Sequence, residues 1–173
     1  MMKYPDFSDS GTRSGTLAIV AVGTLILSAP FVAQAVTSNA EPELTEVSAG
    51  GATLRDTNGA PLQCAQKSAN SSDGVTGRWR WDCDDTSIEI RTDYTADVEA
   101  ERTKTVARFY WQITSGESVS PNELEHPAPN VYELYRNGVS LAAVERGDIT
   151  IYVAAADDRG REIVNQFVQE EVR

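Results

Sequence analysis

The chain has 173 residues, with 26 acidic against 15 basic side chains and a net charge of −11. A surface this acidic repels phosphate backbones and anionic headgroups, which excludes nucleic acid as a partner class. Two cysteines and one histidine are too few for a zinc site, and no cofactor or metal is expected.

Lys3, Asp6, Asp9 and Arg13 cancel within the first residues, so the net charge belongs to the chain beyond Arg13. Thr16 to Val36, TLAIVAVGTLILSAPFVAQAV, carries no charge. It comes close to the ~20 apolar residues that cross a hydrocarbon core as a helix. The expectation is a cytoplasmic leader over 1–13 and a single-pass anchor over 14–36, in contact with membrane lipid. The rest of the chain would then lie outside the cell membrane, and Lys3 and Arg13 agree with inward positive charge. Gly23 and Ser28 offer small surfaces for packing against another membrane helix. A cleaved signal peptide is the competing reading: Pro30 breaks the far end, and Ala33-Gln34-Ala35 fits a small-x-small site. Cleavage after Ala35 would start the mature chain at Val36.

Residues 37–51 read as an acidic linker, with Pro42 and a Gly-Gly end. The extracytoplasmic domain is expected over 52–173, a size able to bury a real core. Residues 52–56 and 61–65 read as strands around Asn58-Gly59, and 67–74 as a polar loop. Val75 to Cys83, VTGRWRWDC, alternates strictly. Val75, Gly77, Trp79, Trp81 and Cys83 fall on the inner face, with Arg78, Arg80 and Asp82 on the outer. Thr86 to Thr92 comes next as its hairpin partner, and Arg78 and Arg80 could pair across strands with Glu89. Cys64 and Cys83, an even count in an oxidising compartment, are expected to form one disulfide, worth ~3 kcal/mol in the chain-entropy model.

The period then changes to helical over 95–113, with Thr95 or Asp97 as cap. Thr114 to Asn130 has no apolar period and reads as a long loop of the kind that is often functional. It contains the sole histidine, His126. Pro121, Glu123, Glu125, His126, Pro127 and Pro129 are therefore candidate partner contacts. Strands over 131–136 and 139–145 flank Asn137-Gly138, a strong hairpin signal. Arg146-Gly147-Asp148 reads as a turn, 149–156 as a central strand and 160–173 as a closing helix. The class is α+β, with a mainly antiparallel sheet of about seven strands and two helices on one face. The stretch from Thr86 onward has a ferredoxin-like βαββα flavour.

Motifs for chemistry are scarce. His126 has no neighbouring nucleophile, and no GxGxxG, P-loop or GxSxG pattern occurs. Asp82, Asp84, Asp85 and Glu89 lie close together but lack the periodicity of a calcium loop. They read as exposed acids of a strand-turn-strand, and Trp79 and Trp81 read as core.

A short leader, one membrane segment at 16–36, an acidic linker and a small domain with a lone cysteine pair resemble small actinobacterial envelope proteins. In plan the chain is similar to single-pass accessory subunits of the actinobacterial cytochrome bcc–aa3 respiratory supercomplex. The resemblance implies an outer-face subunit without a cofactor of its own, whose partners are integral membrane subunits. The expected function is thus a non-enzymatic, membrane-anchored interaction domain. The alternatives are a secreted domain that binds an envelope polymer or peptide, and an exported hydrolase.

Overall fold

The computed structural model describes residues 42–173. The leader, the apolar stretch with Gly23 and Ser28, and the bond after Ala35 lie outside the described residues. In chain order the elements are β1 (Leu44–Glu46), β2 (Ser48–Ala49), β3 (Ala52–Thr53), β4 (Gln63–Ser71), β5 (Gly77–Cys83) and β6 (Thr86–Tyr94). Helix α1 (Glu99–Ile113) is followed by β7 (Glu125–Ala128), β8 (Val131–Arg136), β9 (Val139–Arg146), β10 (Ile149–Ala156) and α2 (Asp157–Val172). Among the described residues no helix is long and apolar enough to cross a membrane.

Eight strands form one sheet in the order β1-β4-β5-β6-β10-β9-β8-β7, and β2 pairs with β3 as a separate hairpin. Every neighbouring pair in the large sheet is antiparallel. The chain makes one meander from β4 to β6 and crosses over through α1. A second meander then returns from the far edge at β7 to lay β10 against β6. Among the described residues the fold is α+β with two helices, as the periodicities require; the sheet has one strand more than expected and no ferredoxin-like interleaving.

Placing both helices on one face is incorrect. Alternate residues of β9 and β10 go to two different cores. Ala142, Val144, Ile151, Val153 and Ala155 pack with Ile163, Val164, Phe167 and Val168 of α2. Leu141, Ala143, Tyr152 and Ala154 pack with Val106, Phe109 and Tyr110 of α1. Strands buried on both sides have no polar face, which is why β10 reads ITIYVAAA instead of alternating. The β2–β3 hairpin joins the α2 side through Val47, Ala49, Ala52 and Leu54.

Several boundaries move for local reasons. Residues 44–49, read as linker, form β1 and β2, because Val47 and Ala49 are buried within the acidic run. Thr45 fastens β1 inward: its hydroxyl accepts from Trp81 Nε1 at 3.2 Å. β4 continues to Ser71 through the stretch read as a loop. Lys67 to Ser71 are exposed, so this strand shows no apolar alternation in the sequence. β6 runs to Tyr94, and neither Thr95 nor Asp97 caps α1. Val98 occupies the cap without a side-chain bond, while Glu99 and Glu101 place negative charge in the first turn. Helix α2 begins at Asp157, ahead of the expected start at Gly160, and Asp157 Oδ1 accepts from the Gly160 amide at 2.9 Å. Val172, at the end of that helix, is exposed.

Cys64 and Cys83 are bonded, with Cα atoms 4.7 Å apart, and tie β4 to β5. Asn137 and Gly138 take φ of 51° and 76° between β8 and β9. Positive values at both positions match the twist of a two-residue hairpin, and this turn is the one its dipeptide indicates.

Candidate functional site

Helix α1 covers β8, β9 and β10. The same side of β5 and β6 carries charge instead of apolar surface. β5 presents Arg78, Arg80 and Asp82 there, and β6 presents Glu89, Arg91 and Asp93. The other side of these strands is filled by Trp81, Cys83, Ile88 and Ile90. A charged sheet face bordered by a helix flank is a concave, polar surface, and it is the candidate site.

Register sets the charges against one another. Arg80 lies directly opposite Glu89, and Arg78 directly opposite Arg91. Glu89 is only 4% exposed. Arg78 serves it best: Nη2 donates to Oε2 at 2.8 Å, and Nε stands 2.7 Å from Oε1. Arg80 Nε is 3.9 Å from the same carboxylate, a loose ion pair with half of its side chain in solvent. Both arginines therefore answer one acid, as the outward alternation of the sequence suggests, although the acid itself is buried.

Arg91 is held at the border with α1. It donates to Gln112 Oε1 at 3.2 Å, pairs with Asp93 and lies 6.0 Å from the centre of the Tyr152 ring. Burial, followed by the Asp93 charge, pushes the Tyr152 phenol up to about 12. Further out, Lys67 pairs with Asp82 at 3.2 Å. A groove of about 540 Å³ runs beside this network, with Asn70, Ser71, Ser72 and Gln112 on its walls beside Arg78 and Arg91. A smaller crevice of about 140 Å³ lies between Arg80, Glu89 and the end of α1 at Ile113.

The residues singled out in the sequence fall elsewhere. Pro121 and Glu123 belong to a 3-10 turn, in which Glu123 accepts from the Ser120 amide and pairs with Arg136 at 2.7 Å. Glu125, His126 and Pro127 form most of β7, and Pro129 lies in the turn that leads to β8. The expected long loop is irregular only over residues 114–120; from Pro121 on it is an ordered turn and edge strand. The His126 ring meets the Tyr132 ring edge to face at 4.6 Å. β7 stands at the opposite end of the sheet from β4 and β5, so these residues do not converge with the arginine face.

The clustered acids also separate. Asp82 goes to Lys67, Asp84 to Arg159 and Glu89 to Arg78. Trp81 is 1% exposed, and Trp79 packs beside it against the α2 core. The Trp79 ring crosses Gly77, where an added Cβ would stand 2.4 Å from it. Trp81 is core, as its strand face indicates, and Trp79 is half-buried at the margin of that core.

No protein-family model, curated protein or solved structure matches this chain.

Sequence reading overlooked the arginine face as a site because outward charges on a strand ordinarily mean solvent. The available signal was the spacing: Arg78 and Arg80 are two residues apart, opposite a strand that itself carries Glu89 and Arg91. The unusual feature is the concentration of guanidinium groups in so acidic a domain.

Proposed function

We propose that the chain is a non-enzymatic, membrane-anchored interaction domain, an accessory subunit on the outer face of a bacterial membrane complex. A respiratory complex is the kind that its layout resembles. The observation that carries the reading is the arginine face: a rigid sheet surface left bare by α1, bordered by a groove and poor in titratable groups free to do chemistry. Arg78 and Arg91 are held by acids and by Gln112, while Arg80 is only loosely paired, an arrangement suited to recognition by shape and charge. The apolar stretch Thr16 to Val36 supplies the tether. Confinement to the membrane surface raises the effective concentration of a partner, so a weak contact suffices.

Purification of the tagged full chain in mild detergent tests this reading. Co-purification of integral membrane subunits supports it, and recovery solely as a free monomer overturns it. The mature N-terminus supplies an independent check by mass spectrometry. Met1 or Met2 agrees with the anchor, whereas Val36 replaces it with a secreted binding domain.

A further inference from the structure

We propose that the Arg78–Arg80–Arg91 face binds an extended, acidic polypeptide segment whose carboxylates lie at alternate residues. This inference rests on the interaction-domain reading and names the chemistry of the partner.

The first observation is the placement of Arg78 directly opposite Arg91. Like charges in directly opposed positions destabilise a strand pair, so packing alone does not account for them. Glu89 on one side, and Asp93 with Gln112 on the other, hold the two guanidinium groups in place. The result is a pair of positioned guanidinium groups, each of which spends part of its donor set on this face and keeps the remainder for charge-assisted bonds to a further carboxylate.

The second observation is spacing. Arg78 and Arg80 project from one face of one strand, about 7 Å apart at a rise of about 3.4 Å per residue. An extended peptide laid over that face repeats the same distance between its alternate side chains. Arg80 is the open position: its partner Glu89 is already engaged by Arg78, and its head lies 3.9 Å from that carboxylate. Most of its donors remain available.

Charge selects the sign of the occupant. On this face Lys67, Arg78, Arg80 and Arg91 stand against Asp82, Glu89 and Asp93, a positive excess in a chain whose net charge is −11. That overall charge opposes approach to an anionic lipid surface, whereas a single acidic segment meets only the local excess. Main-chain chemistry favours a polypeptide over a free anion. β1 pairs with β4 only at Gln63 to Ala65, so from Gln66 to Ser71 the outer edge of β4 has no strand neighbour among the described residues. Asn70 and Ser71 of that open edge also line the groove, together with Ser72 and the Gln112 amide. These groups can meet peptide N–H and C=O groups along the segment.

The test uses the full chain in detergent micelles and a fluorescent peptide of alternating Glu and Thr, read by anisotropy. The expected result is saturable binding that weakens as salt rises, with a loss of roughly tenfold in Arg80→Gln and in Arg91→Gln. Arg80→Lys should recover part of the affinity. Arg161→Gln, whose guanidinium lies over the Tyr135 ring away from this face, should bind like the parent chain. Circular dichroism confirms that each variant is folded. Absence of saturable binding overturns the proposal, as does equal binding by an alternating Lys-Thr peptide or undiminished binding by Arg80→Gln. Tighter binding to anionic vesicles than to the peptide would assign the face to lipid, and self-association abolished by Arg80→Gln would assign it to a second copy. Both outcomes overturn the peptide assignment. Peptide failure with membrane subunits still co-purifying removes this inference alone, while loss of both removes the interaction-domain reading as well.

Discussion

The Tyr132 hydroxyl donates to Glu145 Oε1 at 3.0 Å, and Arg102 of α1 donates to Oε2 of the same carboxylate at 2.7 Å. One acid on β9 thus joins β8 to the helix that covers it. Burial, reinforced by the hydrogen bond to Glu145, pushes the Tyr132 phenol up to about 12. This small network anchors the N-terminal part of α1 to β8 and β9, while Gln112 near its other end meets Arg91 at the border of the arginine face.

Tyr132 and Tyr152 make stability depend on alkaline pH. Both phenols are nearly inaccessible to solvent and titrate at about 12 in the folded chain, against 10.0 for the free group. Between these values the unfolded chain loses its phenol protons while the folded chain keeps them. Stability is therefore complete below pH 10 and falls as pH rises, at about 1.4 kcal/mol per pH unit for each tyrosine. Phenolate absorbance should show late-titrating tyrosines in the native protein, and Tyr132→Phe and Tyr152→Phe should each remove one of them. Denaturation midpoints measured over the same range should fall together with their delayed ionisation.

Arg78 and Glu89 are unequal partners, because the acid is buried and half of the arginine side chain lies in solvent. In Arg78→Gln the carboxylate loses its closest cation while it stays buried, and a destabilisation of about 3 kcal/mol is expected. In Glu89→Gln both arginines can turn toward water, and the loss should be smaller, about 1 kcal/mol. Urea denaturation of the two variants orders them. An equal or reversed order would mean that the carboxylate is better solvated than its burial indicates.

Local signals were most legible where one residue pattern served one physical demand. Asn137-Gly138 had to accept positive φ twice, and Gly77 to Cys83 had one buried face and one charged face. The α+β class comes from those periods and from the amphipathic α2. Legibility failed where burial came from a neighbour distant in sequence. β10 is apolar throughout because helices cover both of its faces, and nothing in its own residues says that they lie on opposite sides. β4 beyond Lys67 is a strand held mainly by pairing with β5, since its own side chains are exposed. The candidate site was hidden for a related reason. Arg78, Arg80, Glu89 and Arg91 could be paired from alternation, but the bare face exists only because α1 sits over β8 to β10.

Gly160 tests the seam between α2 and the sheet. An added Cβ would stand 2.7 Å from Ala155 Cβ and 3.1 Å from the Ala155 carbonyl carbon, with Thr86 Oγ1 at 3.0 Å. Helix propensity favours Gly160→Ala by about 1 kcal/mol. Overpacking against backbone costs about 1–3 kcal/mol, and the Ala155 backbone cannot move without disturbing β10. The clash should win, with a lower melting temperature than the parent. A rise in that temperature would show that the first turn of α2 shifts freely.

Glu133 on β8 lies directly opposite Glu125 on β7. Desolvation first, and then the Glu125 charge, raises its pKa above the ordinary carboxylate value. For an acid raised in this way, the unfolded chain gives up its proton at lower pH than the folded chain. The ionised group therefore opposes folding at neutral pH, and the penalty disappears as pH falls through its folded pKa. Glu133→Gln removes the charge while preserving the size of the side chain. It should stabilise the protein at pH 7 by about 0.5 kcal/mol, within the range for opposed strand pairs. The gain should vanish under acid conditions, where Glu133 is already neutral in the parent. Denaturation of both chains at neutral and acid pH measures the difference. A stabilisation of the same size at both would trace the gain to packing, and a loss at pH 7 would show that the ionised carboxylate supports the β7 edge.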